Sequence, residues 1–480
     1  MGKNEIQTIF NAALDILENV GIKIFHEKCL KMLEKNGITV DYKTKNARFS
    51  RSIVKELTTK VPSLIKFYDF KGEKTYEVGE NNIHYAPGAS AIKIFDSDSQ
   101  KVRSPTVSDL VNFAKVVDIL DNIAFQTTAL IPSDVPNQIV DRYRVYILLK
   151  YSAKPIITGT FTLDGTQDII SLFRAAAEDF DIAKQPVGAL VCCPTSPLKW
   201  SELMIQSLME CCKSSVPIIV VPAPSLGLTS LGTMAATLAQ HTAEAISGVV
   251  ISQLINTGTP VIFGGSANLF DMRYFTTLLG AIETVMLYVG LAQIGKYLKF
   301  PVHCFAGIAD SKVVDYQAGQ ESGIGLLLGA LAGINIMHGP GMLEFESCQS
   351  IEKLVLDNEI CGMAIKAAKG FEVDDKALAL DIIRNVGAGG EYIKNFNALK
   401  LLKEKIYEIC YMPSDLISRE PRETFEKRGA KDSFRRAKDC VRKLLEKYKA
   451  KYLTPNIEQK MKDIIRSASM RYSVSLPQME

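Results

Sequence analysis

Val187-Gly188-Ala189-Leu190-Val191-Cys192-Cys193 is a short uncharged run, and Val216-Pro217-Ile218-Ile219-Val220-Val221 repeats its character after a helical interval. Neither alternates apolar with polar residues, which is the pattern of strands buried on both faces. Five more such runs lie at 123–131, 155–160, 260–263, 302–305 and 333–337, so that successive starts are 29 to 44 residues apart. The intervals hold helix candidates at 164–180, 232–254, 278–298 and 315–331. Alternation with this period predicts βαβ units and a parallel sheet. Seven or eight units close an α/β fold of the (β/α)8 TIM-type barrel class, usually ~250 residues. The rival, a doubly wound sheet, lacks its Gly-x-Gly-x-x-Gly turn.

Upstream, residues 6–37 carry apolar side chains at helical spacing, with Gly21 and Gly37 as stop signals, which predicts two helices. Residues 76–103 read as extended, and Asp96-Ser97-Asp98-Ser99 is a hairpin turn cluster. Thr106-Val107-Ser108-Asp109 opens a helix to about residue 121. After Gly370 another helix starts at Glu372-Val373-Asp374-Asp375, and Gly387-Ala388-Gly389-Gly390 interrupts the chain. The basic segment 427–451 has two readings, a solvated helix packed on the barrel or a docking surface for an acidic partner. Residues 467–480 read as loosely structured. The resulting division is an N-terminal helical and hairpin extension at 1–120, a barrel core at 121–370 and a C-terminal helical extension at 371–480.

The balance of 56 Lys and Arg against 53 Asp and Glu, net +3, makes nucleic acid a poor default partner. With 47% hydrophobic residues the chain is not disordered as a whole. The uncharged stretches 214–240 and 245–270 are broken by Pro217, Pro222, Pro224, Gly258 and Pro260, so neither supplies the ~20 apolar residues of a membrane span. Ten cysteines and a mixed polar start predict a cytoplasmic protein with free thiols. The apolar helix at 278–298 makes a homo-oligomer plausible, or simply packs on the barrel.

In a parallel barrel the chemistry sits at the carboxyl ends of the strands. Here those ends are rich in small residues, such as Thr158-Gly159-Thr160, Gly264-Gly265-Ser266 and His338-Gly339-Pro340-Gly341, which predicts a broad cavity floor. Cys192-Cys193, Cys211-Cys212 and His303-Cys304 are adjacent pairs rather than zinc-spaced ligands, so no metal site is expected. His241, on an apolar helix, reads as a core residue. Asp271, Arg273, Glu283, Asp310, Asp315 and Glu321 form a carboxylate-rich series whose plain reading is ion pairs bracing the barrel. There is no Ser-His-Asp pattern, nucleophile elbow or P-loop, and no catalytic residue is assigned.

Taken in order, Pro87-Gly88 with Asp96, Lys154-Pro155, Asp271-Met272-Arg273, Glu283, Phe300-Pro301, Asp310-Ser311-Lys312 with Asp315, Gln317-Ala318-Gly319 and Glu321, then Gly339 to Glu344 and Val355-Leu356-Asp357-Asn358-Glu359, form a series. It resembles the trimethylamine methyltransferase family of corrinoid-dependent enzymes over most of the chain. The resemblance implies a barrel with terminal additions. It also implies methyl transfer from a methylated amine to the cobalt of a separate corrinoid protein, with no cofactor held tightly by this chain. Archaeal trimethylamine members carry pyrrolysine in the barrel, whereas this chain has only standard residues. That departure points to the betaine branch, with a quaternary amine such as glycine betaine, proline betaine or carnitine as substrate.

A quaternary ammonium leaves as a neutral tertiary amine, so its departure needs no acid, and the protein's work is positioning and exclusion of water. Under this resemblance a modest aromatic or polar cage is expected, rather than a carboxylate close to nitrogen, because the cation disappears during the reaction. Tyr85, Phe95, Tyr274, Phe305 and Phe345 are its candidates. His338 or Arg273 would hold a substrate carboxylate, and Asp310 and Glu344 would orient the cavity or meet the corrinoid. Two other readings stay open: a tertiary-amine methyltransferase, and a binding protein that holds a quaternary ammonium compound without turnover.

Overall fold

Eight parallel strands form one sheet whose ends meet, in a computed structural model that describes residues 1–178, 180–450 and 452–476. The strands are β1 (His84–Ala86), β2 (Gln126–Thr127), β3 (Ile156–Thr158), β4 (Gly188–Cys192), β5 (Ile218–Val220), β6 (Val261–Gly265), β7 (Val302–Cys304) and β8 (Ile336–His338). Each pairs in parallel with its neighbour from β2 round to β8, and β8 pairs with β1. The backbone N–H of Ala124 donates to Tyr85 O at 2.9 Å and closes the ring between β1 and β2. A closed sheet has no unpaired edge, which is why strands of two to five residues suffice.

Each strand is followed by a helix: α1 (Val107–Ile119), α2 (Val140–Tyr151), α3 (Gly165–Ala176), α4 (Glu202–Lys213), α5 (Met234–Ile255), α6 (Ile282–Tyr297), α7 (Tyr316–Leu331) and α8 (Ile351–Lys369). The capping signals act as the residue types dictate: Thr106 forms a capping box with Asp109 at α1, and Ser201 and Asp315 cap α4 and α7. The TIM-type (β/α)8 barrel is therefore the fold, and the seven apolar runs are seven of its strands.

The eighth strand corrects the expected boundary at residue 121. β1 lies within the segment assigned to the N-terminal extension, 40 residues ahead of β2 by the difference between Ala86 and Gln126. It is only three residues long and stands in a stretch dominated by antiparallel pairs, Leu64–Tyr68 with Thr75–Gly79 and Lys93–Asp96 with Lys101–Arg103, which hides its parallel role. The Asp96–Ser99 turn joins that second hairpin as expected.

The helix Lys3–Asp15 packs on α5, and the basic helix Ser433–Lys447 buries Ala437 and Val441 and packs on α8 and α1. The helix Pro455–Tyr472 packs on α3 and α2, against the expectation of a loose tail, because Ile457, Met461 and Ile465 form a buried stripe. Positions 179, 451 and 477–480, which end or interrupt three of the expected segments, lie outside the described residues. The apolar segment 278–298 becomes α6, whose Leu287, Tyr288 and Leu291 are buried. No helix among the described residues is long and apolar enough to cross a membrane, and the ten cysteines are unpaired.

Candidate functional site

Side-chain alternation on β7 and β8 builds the floor of the barrel mouth. Cys304 points its thiol toward Tyr288 O on α6, and Met337 meets Gly329 of α7, so both face the helix layer. His303, Phe305 and His338, one residue out of phase, face the lumen. Their rings form a cluster with centroids 4.5 to 5.3 Å apart, all edge to face. His303 Nε2 lies 3.1 Å from His338 Nδ1, while His303 Nδ1 and His338 Nε2 have no partner among the described residues. Burial pushes the His338 pKa down to about 3 and that of His303 well below its ordinary value. Both rings are neutral at pH 7, so nothing in this floor repels a cation.

Above the floor, the chain leaving β8 makes an unusual turn. Glu344, Phe345 and Glu346 all have left-handed backbone, with φ of 49°, 57° and 74°. Non-glycine residues pay on the order of 1 kcal/mol or more for this region, so three in succession need outside support. Lys93 Nζ holds Glu344 Oε2 at 2.9 Å, and Glu344 N donates to Ser311 O at 3.0 Å. Lys312 Nζ stands 3.9 Å from the centre of the Phe345 ring and donates to Asp310 O at 2.7 Å. Gly339 lets this loop approach the one after β7, since a Cβ there would come within 2.5 Å of Gly307 C.

Glu346 is the member of this turn that no side chain engages among the described residues. It keeps accessible surface, and Cys193 at the end of β4 is exposed. Cys192 faces Ser207 of α4, so the next residue, Cys193, takes the lumen side of the strand end. Burial alone raises the Glu346 carboxyl to about 8, and burial, then Cys192 and Glu346, raise the Cys193 thiol to about 12. Tyr288 also feels the Glu346 charge, after burial and Cys304.

An incompletely paired charge stands at the flank. Arg144 of α2 is fully buried; Nη1 donates to Thr128 O at 3.0 Å and Ser90 Oγ at 3.3 Å, and Nε and Nη2 have no partner among the described residues. The Phe161 ring covers it, 4.7 Å from Cζ, and burial lowers its pKa to about 10.

The sequence candidates separate accordingly. Phe305 and His338 meet in the floor, joined by His303, which alternation two residues before Phe305 would have found. Phe345 and Glu344 are in the strained turn. Tyr85 pairs with Met337 in register and so faces the helix layer, near Cys361 of α8. Phe95 lies in a small cluster with Ala309, Leu343 and Phe434. Arg273 and Tyr274 are 79% exposed at the side chain and 75% exposed, at the tip of a hairpin formed by Asn268–Asp271 and Thr276–Leu278, with Arg273 bound to Asp271 at 2.6 Å. Asp310 braces the chain before α6 by accepting from Leu279 N and Gly280 N at 2.9 and 3.0 Å, and burial lifts it to about 6. His241 is a core residue bonded to Gly264 O at 3.0 Å. Glu346 and Arg144 were not among the candidates. Glu346 is flagged only by its place beside Glu344 and Phe345, and Arg144 by nothing local.

Among the described residues no three His, Cys, Asp or Glu side chains cluster as metal ligands. A cavity of about 1900 Å³ lies at the other end of the barrel, between the end of α8 and residues 371–412, away from the strand carboxyl ends.

A family model described as trimethylamine methyltransferase (MTTB) matches residues 1–471. The chain is 27% identical to the trimethylamine methyltransferase MttB of Desulfitobacterium hafniense (strain DSM 10664 / DCB-2), covering 98% of this chain and 94% of the relative. It is 28% identical to the glycine betaine methyltransferase of Desulfitobacterium hafniense (strain Y51), covering 96% and 95%. It is also 28% identical to the trimethylamine methyltransferase MttB1 of Methanosarcina acetivorans, covering 98% and 95%. The crystal structure of the Methanosarcina barkeri monomethylamine methyltransferase (MtmB) superposes with a TM-score of 0.55 at 11% identity, over 93% of this chain and 87% of that one, a likeness of fold.

Proposed function

Since the chain belongs to the trimethylamine methyltransferase family, we propose that it moves a methyl group from a quaternary amine to the cobalt of a separate corrinoid protein. The observation that carries this reading is the neutral aromatic floor of His303, Phe305 and His338 at the carboxyl ends of β7 and β8. Aromatic faces attract ammonium groups by ~0.5–2 kcal/mol each, and two uncharged imidazoles add no repulsion.

The corrinoid, delivered as a co-substrate, supplies a Co(I) nucleophile that accepts the methyl group while the N–C bonding electrons stay on nitrogen and the amine leaves neutral. No proton moves, so the chain's residues have only to orient the methyl group and keep water away. The rim suits a docking partner: Leu163, Leu228, Leu231, Met272, Phe275 and Tyr316 are exposed on the loops after β3, β5, β6 and β7. Apolar surface of that extent on a soluble protein is commonly covered by another molecule.

A carboxylate on the substrate would find its donors at Arg144, whose Nε and Nη2 are free once the Phe161 ring moves, whereas Arg273 is engaged by Asp271. The relative named for glycine betaine favours a carboxylated quaternary amine. The test is to mix the protein with cob(I)alamin and a panel of glycine betaine, proline betaine, carnitine, choline and trimethylamine, and to follow methylcobalamin by absorbance. Methylation from a quaternary member supports the proposal. Methylation from trimethylamine alone moves the substrate to tertiary amines, and binding without methylation refutes transfer.

A further inference from the structure

Two arginines on α2, Arg142 and Arg144, are both fully buried, and the fold treats them in opposite ways. Arg142 is surrounded by acids: it pairs with Asp141, Asp164 and Asp168, and its Nη2 donates to Thr162 Oγ1. Arg144 has only Nη1 engaged, by the neutral oxygens of Thr128 and Ser90. Asp141, three residues earlier on the same helix, has both oxygens committed elsewhere. Its Oδ1 accepts from Arg142 N and Nε at 2.8 and 3.0 Å, and its Oδ2 from Thr160 Oγ1 and Phe161 N at 3.0 and 2.9 Å. The donors of Arg144 left without a partner among the described residues, Nε and Nη2, belong to one edge of the guanidinium. That edge is the fork that matches the two oxygens of a single carboxylate.

What offsets the unfilled edge is the Phe161 ring, 4.7 Å from Cζ. This cover is not part of the barrel core: Phe161 is 42% exposed, so its ring is the layer between the guanidinium and solvent. The backbone beneath it is fixed on both sides. Asp141 holds Thr160 and Phe161 from α2, and the end of helix Pro455–Tyr472 holds Asp164, through Arg471 Nη2 at 3.0 Å and the Tyr472 hydroxyl. The loop therefore stays in place while the ring can change rotamer. Ser90, Thr128 and Phe161 follow β1, β2 and β3, so the covered guanidinium lies at the carboxyl ends of the strands, where a barrel takes its substrate.

We propose that Phe161 is the specificity gate of an anion subsite: its ring seals Arg144 in the empty protein, and a substrate carboxylate displaces the ring and pairs with Nε and Nη2. This rests on the methyl-transfer reading above. To the carboxylate donor it adds the residue that decides when that donor is available.

The gate sorts ligands by their chemistry. A carboxylated quaternary amine offers two charge-assisted hydrogen bonds in exchange for one cation–π contact, and so turns the ring out. Choline and tetramethylammonium offer Arg144 only like charge and leave the ring where it is.

The experiment is labelling of the full chain with the arginine reagent phenylglyoxal, read at Arg144 by peptide mass spectrometry. Wild type without ligand should label slowly, because a minor open state of ~0.1–10% keeps the guanidinium sealed most of the time, and Phe161→Ala should label at least ~10-fold faster. In that variant glycine betaine or carnitine should slow the labelling again, and choline should not. Phe161→Trp keeps a large ring in place and reports its movement directly, since the single native tryptophan, Trp200, is buried away from solvent. Its emission should change with a carboxylated quaternary amine and stay constant with choline. Equal labelling of wild type and Phe161→Ala, no protection by either carboxylated amine, equal protection by choline, or an emission change indifferent to the carboxylate would each overturn the gate. None of these readouts involves cobalt. If they appear as described while cob(I)alamin is never methylated, the transfer reading fails and the anion subsite stands; if methylation proceeds without them, the gate fails and the transfer reading stands.

Discussion

His303 Nε2 and His338 Nδ1 face each other at 3.1 Å across adjacent strands, and neither ring has another hydrogen-bond partner among the described residues. One of the two nitrogens must carry the shared hydrogen, so the pair is fixed in matching tautomers, with one donating and the other accepting. Burial lowers the pKa of His338, and burial first and the neighbouring His338 second lower that of His303.

The first prediction concerns those rings. The unfolded chain takes up a proton on each histidine near pH 6.5, while folded His338 waits until about 3. Its contribution to stability is complete above 6.5 and declines as pH falls below, by ~1.4 kcal/mol per unit. His338→Gln removes that dependence. The gap in unfolding free energy between wild type and variant should shrink by about that amount per unit from pH 6.5 to 4.5; a gap independent of pH would mean that the ring titrates normally.

The second concerns the cage. Phe305→Ala should weaken quaternary ammonium binding by ~0.5–2 kcal/mol, and His338→Ala should raise KM for a betaine several-fold, because both remove a wall of the floor. Steady-state kinetics with a betaine checks both, and unchanged constants would take the residue out of the site.

Tyr85 provides the contrast. Its hydroxyl is buried on the helix side of β1 without a partner among the described residues. Tyr85→Phe is expected to leave KM unchanged and to stabilise the fold by ~1 kcal/mol, the low end of the cost of an unsatisfied buried polar group. Denaturant unfolding measures the second effect; a rise in KM would place the ring in the lumen after all.

Arg144 tests for a carboxylate. Arg144→Met should weaken glycine betaine by about tenfold, on the scale of one charge-assisted hydrogen bond, and leave choline unaffected. Equal losses for both ligands would indicate a structural role only.

The strands were legible because seven of them are uncharged runs long enough to stand out from amphipathic helices, and their ends pointed to Phe305 and His338. β1 was not legible, since His84–Ala86 is too short to carry a pattern and sits among hairpins. Tyr85 was misplaced for a geometric reason: neighbouring strand residues face opposite sides, and only the register with Met337 decides which. Arg273 and Tyr274 follow a strand end in sequence, yet a hairpin carries them to the rim. Glu346 depends on contacts of the turn with Lys93 and Lys312, the first of them 251 residues from Glu344, and no local pattern encodes these.

The most direct measurement is a single turnover with a quaternary amine labelled as N–¹³CH₃, the protein in excess, and cob(I)alamin. Transfer as described places the label on cobalt as methylcobalamin and releases one neutral tertiary amine per methyl group, without any dependence on an added acid or base. Loss of the labelled methyl at the same rate when cobalamin is left out, or amine formation with no label on cobalt, would contradict it.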